Sequence, residues 1–223
     1  MTLEIGFLLF PNVQQLDLTG PYEVFASLPG TRLHLVAEHL APVRASTGLM
    51  LAPTVTYEQC PALDVICVPG GIGVNALLTD PGALAFLREQ ASSARFVTSV
   101  CTGALVLGAA GLLRGRRATT HWAAHDLLAA FGAIPVDARV VRDGNLVTGG
   151  GVTAGIDFAL VLAAELVGPI AAETVELTLE YAPAPPFGSG RPDQASAAVL
   201  EAARAQLAGS RREREAILAK ITG

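Results

Sequence analysis

Apolar residues along this chain fall into two rhythms. The first is the short, almost unbroken run: LEIGFLLF at 3–10, LDVICVPG at 63–70 and RFVTSV at 95–100. Such runs suit strands covered on both faces, as in a parallel sheet flanked by helices. RLHLVAE at 32–38 alternates more and reads as a further strand. The second rhythm is helical. Asp17 opens DLTGPYEVFASL. Asp80-Pro81 opens ALAFLREQAS, where Pro81 suits a first turn and Asp80 can cap it. TGALVLGAAGLL follows Cys101, and AAHDLLAAFG closes on Gly132. TAGIDFALVLAAELVG at 153–168 and PIAAETVELTLEY at 169–181 continue the pattern.

Hairpins are expected over 43–56, turning at Thr47-Gly48, and around Asp143-Gly144. RRATTHW reads as a short strand or extended piece. The alternation of strands and helices predicts an α/β layer fold with a mainly parallel sheet. YAPAPPFGSGRPD at 181–193 reads as a surface crossing, followed by a mixed-charge helix from Gln194. The expected organisation is one domain over 1–190, with 191–223 as its helical appendage.

Composition narrows the function classes. The chain has 223 residues, is half apolar and is poor in aromatics, so a large core is expected from Ala, Val and Leu. The net charge of −5 shows no basic stripe for nucleic acid. Arg211, Arg212 and Arg214 alternate with Glu213 and Glu215, which reads as a solvated helix face. No charged clamp is evident around the candidate site. Three cysteines, widely spaced and without a CxxC, argue against a disulfide framework or zinc site and for a reducing compartment. The N-terminus carries Glu4 and no basic leader, and Glu165 interrupts FALVLAAELV. The expectation is a soluble cytoplasmic protein without a membrane or nucleic-acid partner.

Cys101 is placed where a strand should end and a helix begin. Parallel sheets deliver functional groups at such ends. Free N–H groups at a helix start favour a thiolate, so the thiol pKa is expected to fall. A nucleophile and an inert buried thiol both fit the spacing. Cys67 lies mid-strand and reads as core, and Cys60 lies in a loop. The glycines of PGGIG at 69–73 would let backbone N–H groups approach a ligand, and the GGG at 149–151 offers another such edge. Thr102 can offer its N–H and hydroxyl, or simply start the helix. Gly71, Ile72 and Val152 are candidate pocket residues. His121 reads as a pocket residue or, more simply, one satisfied by a local hydrogen bond. His121 and His125 have metal-capable spacing but no third ligand, so neither metal nor cofactor is expected.

LLFPNVQQLDLTGPYEVF, DVICVPGG, SVCTGALVLGAAGLLRGRRATTHW and VTGGGVTAGIDFAL together resemble the PfpI-like superfamily, related to class I glutamine amidotransferases, over roughly residues 3–180. The resemblance implies a flavodoxin-like three-layer sandwich, a cysteine at the elbow and a homodimer. It also places an acid at the end of the first strand, facing that cysteine. Here the acid is Asp17, which on the sequence alone would be an ordinary helix cap. The Asp at this place and the CTG elbow are most similar to the isocyanide-hydrating members. These imply a small neutral isocyanide and water as substrates, Cys101 as nucleophile and Asp17 as general acid/base. Glyoxalase or deglycase members acting on α-oxoaldehydes usually carry Glu there, and peptidase-like members carry His where this chain has Thr102. A ligand- or redox-sensing domain is a further alternative. AraC-type regulators share these motifs but append a DNA-binding module, for which the chain is expected to have no room.

Overall fold

Pro11 and Pro69 close two of the apolar runs, and Asp80 opens a helix with its own carboxylate. Asp80 Oδ1 accepts from the backbone N–H of Gly82 at 2.9 Å and of Ala83 at 3.1 Å. The computed structural model describes residues 2–221. Its strands are β1 (Leu3–Leu8), β2 (Thr31–Ala37), β3 (Val43–Arg44), β4 (Met50–Leu51), β5 (Val55–Thr56), β6 (Val65–Val68), β7 (Phe96–Val100), β8 (Arg117–Ala118), β9 (Ile134–Pro135), β10 (Val140–Asp143) and β11 (Leu146–Gly149). Its helices are α1 (Gln15–Ala26), α2 (Val74–Leu77), α3 (Pro81–Ala91), α4 (Gly103–Ala109), α5 (Ala154–Val167), α6 (Pro169–Thr178) and α7 (Ala197–Ile221).

The main sheet has seven strands in the order β10-β11-β7-β6-β1-β2-β5. All of them run parallel except the edge strand β10, which pairs antiparallel with β11. Register is continuous across the centre: Phe7 lies beside Cys67, and Cys67 beside Thr98. α1, α5 and α6 pack together on one face; α3 and α4 lie on the other. The result is the expected three-layer α/β sandwich. Strand order reverses beside β1, so the chain ends leaving β1, β6 and β7 diverge around one crevice. Open α/β sheets bind ligands at such a point.

The core is rich in Ala, Val and Leu as expected, but scarce aromatics are concentrated in it. Phe7, Phe25 and Phe158 are fully buried, with neighbouring ring centroids 6.2 Å apart. They join the sheet to α1 and α5, each side chain contributing roughly 1.5–3 kcal/mol by burial.

Three expectations need correction. Residues 43–56 are not one hairpin. β3 and β4 pair around Gly48, at φ +94°, but β5 leaves them and pairs with β2 at the sheet edge. The segment Trp122–Phe131 forms 3-10 turns and not an α-helix. Its ends are held by i→i+3 bonds, Ala124 N–H to His121 O at 2.8 Å and Gly132 N–H to Ala129 O at 2.9 Å. Finally, the basic cluster on α7 is not a solvated face. Arg212 is exposed, but Arg214 is buried and Arg211 is half-buried, because α7 lies against α2 and the 3-10 segment.

Candidate active site

The turn after β7 places Cys101 at φ +54°, a conformation unusual for a residue with a Cβ. Backbone bonds hold it there. Its N–H donates to Gly149 O at 3.1 Å and Gly150 O at 2.8 Å, and its carbonyl accepts from Thr120 Oγ1 at 2.6 Å. The GGG edge thus serves the elbow itself. α4 then starts at Gly103, where a Cβ would stand 2.0 Å from Val68 O. Only glycine lets the helix approach the end of β6 this closely.

Asp17 is the third residue of α1 and fully buried, at 0 % exposure. It is not the helix cap; Gln14 holds that position without a side-chain bond. The Asp17 carboxyl turns inward. Oδ2 accepts from Gly70 N–H at 2.9 Å, and the group lies within hydrogen-bonding range of the Cys101 thiol. Oδ1 has no hydrogen-bond donor among the described residues. Gly70 permits this meeting, since a Cβ there would fall 2.7 Å from Thr102 N and 2.8 Å from Asp17 Oδ2.

The N–H groups of the three glycines of PGGIG are engaged within the protein, that of Gly73 by Asn12 O at 3.2 Å. Gly70 N–H is held by Asp17, and Gly71 N–H donates to Thr102 Oγ1 at 3.1 Å. Thr102 in turn stabilises negative charge on sulfur through its backbone N–H and its hydroxyl.

The expected fall in thiol pKa is overturned. Burial pushes the Cys101 thiol well above its usual range, and the neighbouring Asp17 charge adds to the rise, outweighing Thr102. Burial also raises Asp17 to about 7, with the Gly70 and Cys101 hydrogen bonds opposing. The two groups share one desolvated space, so the pair carries at most one negative charge near neutrality and titrates as a unit. Cys67 is raised to about 12 and Cys60 to about 11, in both cases first by burial.

A cavity of about 270 Å³ opens above Cys101. Its wall brings together Thr102, Gly71, Ile72 and Val152, with His121 beside them. Asp17 lies behind the thiol, outside the lining. His121 Nδ1 accepts from Ala123 N–H at 3.3 Å, the local bond expected of it. Burial, and then the charge of Arg214, push its pKa down to about 4, so the ring is neutral. A larger hollow of about 550 Å³ adjoins, sharing His121 and Val152 but not Cys101. Among the described residues no three His, Cys, Asp or Glu side chains cluster as metal ligands, and no helix is long and apolar enough to cross a membrane.

The remaining wall was not foreseen. Gln206, Leu207, Ser210, Arg211 and Arg214 of α7 close the cavity. They are spaced i, i+1, i+4, i+5 and i+8, one helical face. That spacing was present in the sequence, but the alternating charges concealed it. A cationic group therefore does face the site, contrary to the expectation of no clamp.

The family profile described as DJ-1/PfpI matches residues 4–165. The chain belongs to the DJ-1/PfpI family. Within that family it is 68% identical over 210 residues to an isonitrile hydratase of Pseudomonas putida, covering 94% of this chain and 92% of that one. A crystal structure of a ThiJ/PfpI family protein from Pseudomonas syringae superposes with a TM-score of 0.95 at 44% identity, covering 98% of this chain and 91% of that one. Drosophila melanogaster DJ-1beta matches at a TM-score of 0.75 and 25% identity, covering 82% of this chain and 100% of that one. The DJ-1/PfpI fold expected from the motifs is thus the fold observed.

Proposed function

We propose that this DJ-1/PfpI protein is an isonitrile hydratase, converting an isocyanide and water to an N-substituted formamide. One juxtaposition carries the reading. A buried carboxyl that keeps its proton up to about pH 7 lies against a thiol at the base of a small cavity, in a chain 68% identical to an isonitrile hydratase.

The chemistry follows from that pair. Cys101 sulfur, as the thiolate, forms a bond to the terminal isocyanide carbon, and Asp17 gives its proton to the same carbon, leaving a thioimidate, R–N=CH–S–Cys101, and an Asp17 carboxylate. The Asp17 carboxylate then takes a proton from water as its oxygen bonds to that carbon and passes that proton to the nitrogen, becoming the carboxylate again. Collapse of R–NH–CH(OH)–S breaks the C–S bond, releases R–NH–CHO and returns the proton to the pair. One raised carboxyl thus acts as acid and then as base. Ile72, Val152 and Leu207 offer apolar surface to the substituent R, and Thr102 and Gly71 fix the elbow beneath it. The reaction needs water and no cofactor. The helical appendage expected from residue 191 closes the cavity through residues 206–214 of α7. The chain is proposed to pair as a homodimer in the cytoplasm; Ile170 and Leu177 on α6, 79% and 81% exposed, offer apolar surface for pairing.

The test is formamide formation from an alkyl isocyanide, followed by chromatography, for wild type and Cys101→Ala side by side. Formamide from wild type alone is expected. A folded wild type that yields none, or that instead consumes methylglyoxal, overturns the reading.

A further inference from the structure

Arg214 is a buried cation without an anion. It is 6% exposed. Its Nε donates to Asn75 Oδ1 at 3.0 Å and its Nη2 to Ser210 Oγ at 3.3 Å, both neutral acceptors. Asn75 is oriented for this by α7 itself, since its Nδ2 donates to Glu213 Oε2 at 2.8 Å and to Ser210 O at 3.2 Å. No carboxylate lies within ion-pair distance of Arg214 among the described residues. Burying a guanidinium in this way is unfavourable unless a negative charge compensates it nearby.

Of the groups around it, two offer negative charge, Cys101 first and Glu213 after it. On α7, Arg211 is committed to Asp126 and Glu215, and Glu213 points to Asn75. On the 3-10 segment, His121 is neutral, His125 Nε2 is buried without a hydrogen-bond partner, and Asp126 is held by Arg211. α2 contributes only the amide of Asn75. Across the cavity stands Cys101, with Asp17 behind it.

Resting on the reading of Cys101 and Asp17 as a reactive pair, we propose that Arg214 is the counter-charge that holds Cys101 as a thiolate while Asp17 keeps the proton. Burial lowers the Arg214 pKa, and the Cys101 charge opposes this first, ahead of Glu213. The arrangement is then a protonated carboxyl and a thiolate on one side of the cavity and a guanidinium in its opposite wall. When sulfur bonds to carbon and Asp17 delivers its proton, the negative charge passes from sulfur to the Asp17 carboxylate. It stays within the pair, still opposite Arg214, so the cation is balanced before and after the step. Arg214 thereby opposes part of the burial that pushes the thiol up. It acts through Cys101 and is a positioning residue for charge.

The test is the pH dependence of Cys101 alkylation by iodoacetamide, read by peptide mass spectrometry, which needs no isocyanide. In Arg214→Gln the titration midpoint at Cys101 is expected to rise by about one pH unit or more, with alkylation at pH 7 falling roughly tenfold. Arg214→Lys is expected to restore most of it. An unchanged midpoint in folded Arg214→Gln overturns the proposal. Wild type alone gives a second readout should Arg214→Gln not fold. The iodoacetate-to-iodoacetamide rate ratio at Cys101 is expected to exceed that of a free small thiol; an equal or lower ratio overturns the proposal. A shifted midpoint in a protein that makes no formamide would leave this proposal standing and remove the hydratase reading.

Discussion

On the floor of the cavity, Cys101, Thr102 and Gly71 sit on turns that follow β7 and β6, each fixed by backbone hydrogen bonds. On its roof, Arg214, Ser210 and Gln206 lie on one face of α7, where Arg214 is held by side-chain bonds to Asn75 and Ser210. The floor is rigid because close-packed glycines leave it no alternative. The roof is adjustable, since a side-chain hydrogen bond to a neutral amide can be remade at small cost. Geometry is supplied by the floor and charge by the roof.

The strongest way to break the floor is through its contacts and not its chemistry. In Gly103→Ala the new Cβ would meet Val68 O at 2.0 Å, a backbone atom that cannot swing aside. Overpacking of this kind costs about 1–3 kcal/mol, or roughly 2–12 °C in Tm for a domain of this size. Turnover should fall with it, because the same residue follows the Cys101–Thr102 elbow. Calorimetry on Gly103→Ala and on Arg212→Ala, exposed on the roof helix, separates the two regions. A Gly103→Ala protein as stable as Arg212→Ala would mean that the elbow yields where the packing says it is fixed.

Asp17 is where the comparison can be sharpened. Asp17→Asn keeps the shape and removes the proton donor, so kcat should drop by about 10²–10⁴-fold. Stability gives an independent check. The Asp17 pKa is about 7 folded against an ordinary value of 3.8. Between those values the native state binds a proton that the unfolded chain has lost, so this group's stabilising contribution decreases as pH rises, by about 1.4 kcal/mol per unit. His121 has the opposite sign. Its pKa falls from 6.5 to about 4 on folding, so its contribution is lost as pH falls through that range. Across their common window the two slopes oppose each other in wild type. Asp17→Asn should therefore gain stability relative to wild type from pH 4 to 7, measured by urea unfolding at each pH. A constant difference would show that Asp17 ionises in the fold as readily as in the open chain.

How far the site was legible follows the same division. Cys101, Thr102, Gly71, Ile72 and Val152 stand at strand ends and helix starts, which hydrophobic periodicity and glycine spacing mark well; Asp17 reads locally as a helix cap, and only the family resemblance set it facing the cysteine. The thiol's environment was misread because a helix start is a local signal, whereas burial beside Asp17 depends on two other chain segments. Arg214 was misread for a related reason. A residue on a mixed-charge helix is buried or solvated according to where the helix docks, and nothing local to GSRRERE records that it docks over a cysteine a hundred residues earlier.

Arg211 and Arg214 share that helix and that cavity wall, and they should separate cleanly. Arg211 reaches outward to Asp126 at 2.6 Å and Glu215 at 2.8 Å, partners that are 63% and 46% exposed. Its Nη1 also donates to Ala123 O at 2.6 Å, tying α7 to the 3-10 segment. Exposed pairs of this kind contribute at most about 1 kcal/mol and are screened by salt. Arg211→Ala should therefore destabilise by no more than about 1 kcal/mol, and by less at high ionic strength. The Cys101 alkylation midpoint should stay where it is, because the Arg211 charge is already matched by two carboxylates. Chemical unfolding at low and high salt, with alkylation read on the same samples, checks both halves. If Arg211→Ala moved the Cys101 midpoint as far as Arg214→Gln, the roof would act as a diffuse positive surface, and the distinction between a matched and an unmatched cation would fall.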